Sequence, residues 1–432
     1  MPPDASRLPW IKGAGAVLAA VAAVKLLLHL YAGRQYGYFC DELYYLACAR
    51  HLAWGYVDQP PLIALVAAIV HVVLGDSLAA IRFLPALAGA GLVLLTGLIA
   101  RELGGKRFAQ GLAALCALAA PGFLAFDHFL SMNAFEPLFW MGCAWVVIRI
   151  VKTGAPKLWL WFGLLAGIGL ENKHSMLIFG FAILAGLLLT PERRCLRTKW
   201  LWIGGLVAFV IFLPNPRTYY LFPAFSMLFA GGSVLCERWL AGARLPWVKP
   251  AYLALIVLLA AVLAPTLIPL LPVETYIRYS ATMHLQQPRI ETQQLGPLPQ
   301  LFADQFGWEE MAATVARVYN RLPADVRTRT AIYAQNYSQA GAVNLFGSKY
   351  GLPKAICGHQ NYFLWGPRDY TGESMVVIEG RQEELENLFQ DVRKVARVEH
   401  PFSMPHEHFD VFYCRGLRLP LKVLWPQVKN WD

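Results

Sequence analysis

"YFCDELYYLACARHLAWGYVDQPPL", Tyr38 to Leu62, sets Asp41, Glu42 and Asp58 among aromatic residues between two strongly apolar stretches. The stretches on either side decide the class of protein. The chain has 432 residues, 57% of them hydrophobic and 15% charged, and its mean hydropathy of +0.43 lies far from soluble proteins. Apolar runs approaching the roughly 20 residues that cross a bilayer as a helix fall near 14–32, 82–100, 108–126, 134–151, 158–171, 175–190, 200–214, 219–236 and 250–271. This predicts a mostly α, polytopic membrane protein with about nine transmembrane helices. Arg7 and Lys12 precede the first run, which reads as an uncleaved first helix rather than a signal peptide.

The charges sort by side. Arg101, Lys106 and Arg107, then Lys152 and Lys157, then Arg193, Arg194, Arg197 and Lys199, and Arg238, Arg244 and Lys249 fall in alternate connections, on the side of Arg7 and Lys12. By the bias of Lys and Arg toward the cytoplasmic face, that side is inner. The net charge of +10 is thus a topology signal, and nucleic acid is set aside as a partner. Asp41, Glu42, Asp58, Asp76, Asp127 and Glu136 fall on the opposite, outer side.

From about residue 273 the character changes. Seventeen of the 28 acidic residues lie there, and "WEEMAATVARVYNRL" has helical periodicity while "RTAIYA" and "SMVVIEG" are strand-like. The expected organisation is a transmembrane domain over 1–272, with a first outer loop at 33–81, and a soluble extracytoplasmic α/β domain over 273–432. In an oxidising compartment Cys357 and Cys414 could pair, which sequence alone does not decide. Within the first outer loop, "PPLIALVAAIVHVVLG" opens on Pro60-Pro61 and stops at Gly75, the brackets of a helix. An interfacial helix fits better than a span, because a span here would place Arg101–Arg107 outside.

A carboxylate beside apolar surface has two readings. Tyr36, Tyr38, Tyr44, Tyr45 and Trp54 can form an interfacial aromatic belt with the acids as solvated loop residues, or the acids can be partly desolvated proton acceptors. "HPFSMPHEHFD" brings His400, His406, His408 and Asp410 close in sequence, but a Pro-broken loop with His at i, i+2 lacks the companion ligands of a zinc site, and no metal site is assigned. "GHQNYFLWGPRDY", His359 to Tyr370, either stacks on a sugar or fills a domain core.

Five stretches carry a resemblance: the opening one, "FLPALAGAGLVLLTGLIAREL", "HFLSMNAFEPLFWMGCAWVVIRI", "GLENKHSMLIFGFAILAGLLL" and "RTYYLFPAFSMLFAGG". In this order they resemble the protein-mannosyltransferase superfamily of polytopic glycosyltransferases with the C-type fold, which includes the aminoarabinose transferases of lipid A. The resemblance implies an inner-membrane enzyme that moves a sugar from a polyprenyl-phosphate donor to an envelope acceptor (glycan, lipid or protein) at the outer face, by an inverting displacement. No cofactor is required; some relatives bind a divalent ion, which nothing in this chain demands.

The resemblance places the general base on Asp41, with Glu42 and Glu136 completing the catalytic set, and substrate contacts on Asp58, Gln59, Asn133, Lys173, His174, Arg217, Tyr219 and Tyr220. Lys173 and Arg217 are the cations that would hold the donor phosphate; Glu171 is a candidate to neutralise Lys173, and Lys25 and His29 would snorkel or pair. Two departures stand out. Gln59 occupies a position where the aminoarabinose enzymes carry a phosphate-contacting Lys, and Asn215 runs straight into "PRTYY" where the family has further helices and a long loop. The second departure keeps open a rival reading, a non-catalytic membrane protein that binds or translocates a lipid-linked sugar.

Overall fold

The computed structural model describes residues 8–201, 203, 222–241, 247–285 and 294–431. Two compact units emerge. The first comprises Met1–Gln35, Gln59–Ile63 and Val73–Leu271; the second comprises Tyr36–Asp58, Ala64–Val72 and Pro272–Asp432. The split of the loop is invisible in a linear division at 272, because two parts of the first outer loop cluster with chain that follows more than 200 residues later.

The first unit is a helical bundle. Among the described residues four helices are long and apolar enough to cross a membrane: Gly13–Ala32, Leu78–Glu102, Met132–Thr153 and Val248–Thr266. Shorter apolar helices are Arg107–Ala119, Leu158–Asn172 and Met176–Leu188; the expected span at 200–214 lies outside the described residues but for its first positions. Leu92, Ile99, Trp140, Met141 and Phe179 form the centre of the bundle core, whereas Leu258 and Leu259 of the last helix stay exposed, as expected of side chains solvated by lipid. Leu62–Leu74 has only 13 residues, too few for a span. It buries Ile63, Ala67 and Val70 and exposes Leu65, Ile69, Val72 and Val73, the two-faced pattern of a helix lying along an interface.

The basic connections gather at one end of the bundle, as their alternation predicts. Lys152 Nζ pairs with Glu102 at 2.7 Å, and Glu237 accepts from the backbone N–H groups of Lys106 at 2.7 Å and Ala109 at 3.1 Å. Glu237 thereby satisfies orphan donors at the start of the Arg107–Ala119 helix.

The second unit is built on a five-stranded sheet in the order β2-β1-β3-β5-β4, with β1 Thr330–Ala334, β2 Ile356–Cys357, β3 Ser374–Ile378, β4 Phe389–Val398 and β5 Phe409–Leu417. The first three pair in parallel, Thr330 opposite Ser374 and Tyr333 opposite Ile356, while β5 runs antiparallel to β3 and β4. β1 and β3 are the two strand-like runs of the sequence, and both are buried along nearly their whole length, as expected of central strands covered on both faces. The helical run forms Trp308–Asn320. Cys357 and Cys414 do not pair: both are free, and they stand on β2 and β5, three strands apart, a separation of about 14 Å at normal strand spacing.

Candidate active site

In the second unit, Asp41 lies in the first turn of a ten-residue helix, Cys40–Ala49, where backbone N–H groups and the helix dipole favour a negative charge. Glu42 is fully buried, and its Oε2 accepts from the Phe39 N–H at 2.9 Å, closing the first turn in the manner of a capping residue. It therefore fixes the helix that carries Asp41. Asp41 Oδ1 accepts from the Tyr337 hydroxyl at 2.9 Å, and Asp58 Oδ1 accepts from the Tyr44 hydroxyl at 2.9 Å. The two tyrosine rings lie 4.7 Å apart. Asp41 and Asp58 are both only partly buried.

The aromatic residues of the loop do not form the lipid belt that composition suggested. Tyr36 packs on Phe302 and Phe306, Tyr38 on Phe346, and His51 on Trp365; Tyr44 and Tyr45 are buried, and Trp54 is exposed. Their partners belong to the chain after residue 272. The "GHQNYFLWGPRDY" segment joins this packing: Tyr362 faces Tyr44, His359 faces Tyr337, and the Asn361 side chain accepts from the Val57 N–H at 3.2 Å. Next to Gly341 the loop helix approaches so closely that a Cβ there would stand 2.8 Å from the Leu43 carbonyl oxygen, so glycine is required at that crossing.

In the first unit, the Leu158–Asn172 helix ends as Lys173 turns to extended backbone, and Asn172 Nδ2 donates to the Met132 carbonyl at 2.9 Å. This pins the end of one helix to the start of the next. Lys173 Nζ then reaches Asn133 Oδ1 at 2.6 Å and Glu136 Oε2 at 3.1 Å, and the Ser175 hydroxyl donates to the other oxygen of Glu136. Asn133 and Glu136 share one helix face, as residues three apart must. The carboxylate facing Lys173 is Glu136 and not Glu171, the nearer acid in sequence. His174 is buried beside this cluster in the chain, and Gln59 is buried in the same unit. Arg217, Tyr219 and Tyr220 lie outside the described residues.

A second buried charge cluster in the bundle was only partly legible. Lys25 Nζ pairs with Asp127 Oδ2 at 2.9 Å and donates to the Phe123 carbonyl at 2.9 Å; Arg82 Nη1 is 3.4 Å from His128 Nε2, and the His29 ring lies 6.5 Å from that of His128. All five side chains are buried. Lys25 thus pairs within the protein instead of snorkelling to the membrane surface. Gly89 makes room for this pair: a Cβ there would clash with Asp127 Oδ2.

The histidine segment is not arranged for a metal. His408 Nε2 lies 2.9 Å from the His400 carbonyl, His400 stacks on Phe306, and Asp410 is engaged by Lys394 at 2.7 Å and Arg397 at 3.1 Å. Among the described residues no three potential ligands converge.

The model of the family described as dolichyl-phosphate-mannose-protein mannosyltransferase matches residues 58–216. The crystal structure of ArnT from Cupriavidus metallidurans in the apo state is similar with a TM-score of 0.52 at 14% identity, over 93% of this chain and 98% of that chain. The same protein bound to undecaprenyl phosphate gives a TM-score of 0.54 at the same identity and coverage. No curated protein sequence matches the chain. The ArnT likeness gives the fold, a mostly helical C-type arrangement followed by a small C-terminal sheet domain, and the family match is confined to residues 58–216.

Proposed function

We propose that the protein transfers a sugar from a polyprenyl-phosphate donor to a hydroxyl of an envelope glycan, lipid or protein, at the outer face of the inner membrane. The observation that carries this reading is Asp41: a carboxylate on the first turn of a buried helix, one oxygen held by the Tyr337 hydroxyl, the residue still partly exposed. That is the state a general base needs, oriented and accessible. The undecaprenyl phosphate bound by the similar ArnT structure supports the class of donor.

In the proposed step the acceptor oxygen forms a bond to the anomeric carbon while its proton passes to Asp41. The bond from that carbon to the phosphate oxygen breaks, and the polyprenyl phosphate leaves with the electron pair, inverting the centre. Charge grows on the leaving phosphate, so cations positioned there stabilise the transition state beyond the ground state. Arg217 remains a proposed phosphate contact with Tyr219 and Tyr220. Lys173 belongs to a set with Asn133, Glu136 and Ser175, where Glu136 lowers the net charge that a phosphate would meet. Glu42 acts by fixing the helix. On this topology the chain after residue 272 faces out of the cytoplasm.

The test is transfer of radiolabelled mannose or 4-amino-4-deoxyarabinose from undecaprenyl phosphate to acceptors in membranes that contain the protein. Asp41→Asn is expected to abolish transfer, a loss of more than about a hundredfold as removal of a general base predicts, with insertion and thermal unfolding unchanged. Full turnover by that variant would remove Asp41 from the reaction. Donor binding without turnover by the unaltered protein would favour the non-catalytic carrier-binding reading.

A further inference from the structure

We infer that Tyr337, from the sheet-bearing part of the second unit, is the positioning residue for the base; this rests on the assignment of Asp41 above. A carboxylate on a two-torsion side chain can present either oxygen in many directions, and a base that must meet one hydroxyl gains from being held in one of them. Tyr337 supplies that hold with a hydrogen bond of 2.9 Å to Asp41 Oδ1. The Cys40 thiol, 3.8 Å from the same oxygen, is the weaker companion.

Tyr337 is itself fixed from several sides. Asn336 caps its helix, Tyr337–Phe346, by accepting from the Gln339 N–H at 2.9 Å. The ring lies between Tyr44 at 4.7 Å and His359 at 4.8 Å. One turn on, Gly341 lets the helix backbone close against Leu43, and at the far end Phe346 meets Tyr38 edge to face at 5.6 Å. The hydroxyl is therefore carried by a rigid element, the condition for holding a partner to within a few tenths of an ångström. Tyr44, in the same stack, does the corresponding work for Asp58. Asp41 and Asp58 are each held by one of a pair of neighbouring phenols.

The chemistry has a measurable sign. A hydrogen bond given to the ionised form of a carboxyl favours that form, so its loss raises the proton affinity of the acid. Cys40 and Tyr45 on the loop helix also act at this place, with Asp58 and Cys48 acting on Tyr45 and Asp304 and Glu407 acting on Cys40. Burial keeps the Cys40 thiol and the Tyr45 phenol in their neutral forms. The Tyr337 hydroxyl favours the ionised form of Asp41.

The decisive experiment uses the full chain in nanodiscs. A water-soluble carbodiimide with glycine ethyl ester modifies protonated carboxyls, and the fraction modified at Asp41, followed by mass spectrometry between pH 4 and pH 9, gives its titration midpoint. Tyr337→Phe keeps the ring and its stacking; its midpoint is expected to rise by roughly 0.5–1 pH unit for one lost hydrogen bond. The acid limb of the rate profile moves by the same amount, turnover falls several-fold below the wild-type midpoint, and the KM for the donor is unchanged. Replacing Tyr337 by 3-fluorotyrosine, nearly the same shape but a stronger donor, is expected to move the midpoint down, and it decides the matter if the Phe variant unfolds. Midpoints unmoved in the folded variants would overturn the positioning role while Asp41→Asn remained inactive. An active Asp41→Asn enzyme would instead overturn the base assignment on which that role depends.

Discussion

Both units bury carboxylates, and they stabilise them differently. In the bundle each described acid of this kind meets a lysine: Asp127 pairs with Lys25 and Glu136 with Lys173. Among the partly buried acids of the second unit, Asp41 meets Tyr337, Asp58 meets Tyr44, Glu379 meets Gln339 and Glu407 is under the influence of Glu379 and Asp304, while Asp410, nearer the surface, meets Lys394 and Arg397. A lysine cancels the charge of its partner, which suits a site with little water and no chance to rearrange. A phenol steadies a carboxylate and leaves its charge in place. The phenols that hold Asp41 and Asp58 lie in the unit in which a proton acceptor is expected.

Breaking the lysine solution should have the largest effect. Lys25→Met leaves Asp127 buried without its counter-ion and is expected to cost about 3–5 kcal/mol of stability, read as a fall in the thermal midpoint in detergent. The double variant Lys25→Met, Asp127→Leu is expected to recover most of that loss, because neither charge is then buried. A double variant as unstable as the single one would show that the pair does more than neutralise itself.

The arrangement of acids with acids predicts a pH dependence. Burial first, and then Glu379 and Asp304, push the carboxyl of Glu407 up to about 8 from an ordinary 4.5. The folded chain therefore binds this proton more tightly than the unfolded chain. Its stabilising contribution is full below pH 4.5 and is lost as pH rises toward 8, with a slope of up to about 1.4 kcal/mol per pH unit. Unfolding measured at pH 5, 6.5 and 8 should show that decline, and Glu407→Gln should flatten it. The smallest of these effects concerns Asn133, which gives Lys173 a second acceptor at 2.6 Å beside Glu136. Asn133→Ala is expected to cost about 1.5 kcal/mol by thermal unfolding, with the ion pair to Glu136 retained.

What could be seen in the sequence was what short periodicity encodes. Four of the apolar runs as helices long enough to cross a membrane, the short helix Leu62–Leu74, the strands at Thr330–Ala334 and Ser374–Ile378 and the common end of the basic loops all follow from local patterns. Partners far apart in the chain left no such mark. Glu136 is 37 residues from Lys173, so the adjacent Glu171 looked the better counter-ion until the helix ends were brought together. Tyr337 is 296 residues from Asp41, and nothing near either residue announces the other. The reading of the loop aromatics as a lipid belt stayed open for the same reason: Phe302, Phe306 and Phe346, the rings that pack on Tyr36 and Tyr38, lie more than 200 residues further along the chain.

The close crossing at Gly341 has a consequence in time. A helix of ten residues such as Cys40–Ala49 is too short to hold itself together in isolation, and the surface it needs includes Leu43 against Gly341. At about 5–20 residues per second of synthesis, the 296 residues between Asp41 and Tyr337 take on the order of 15–60 seconds to appear. Through that interval Asp41 has been made and Tyr337 has not, so the proposed base receives its phenol partner only after the intervening chain has been synthesised.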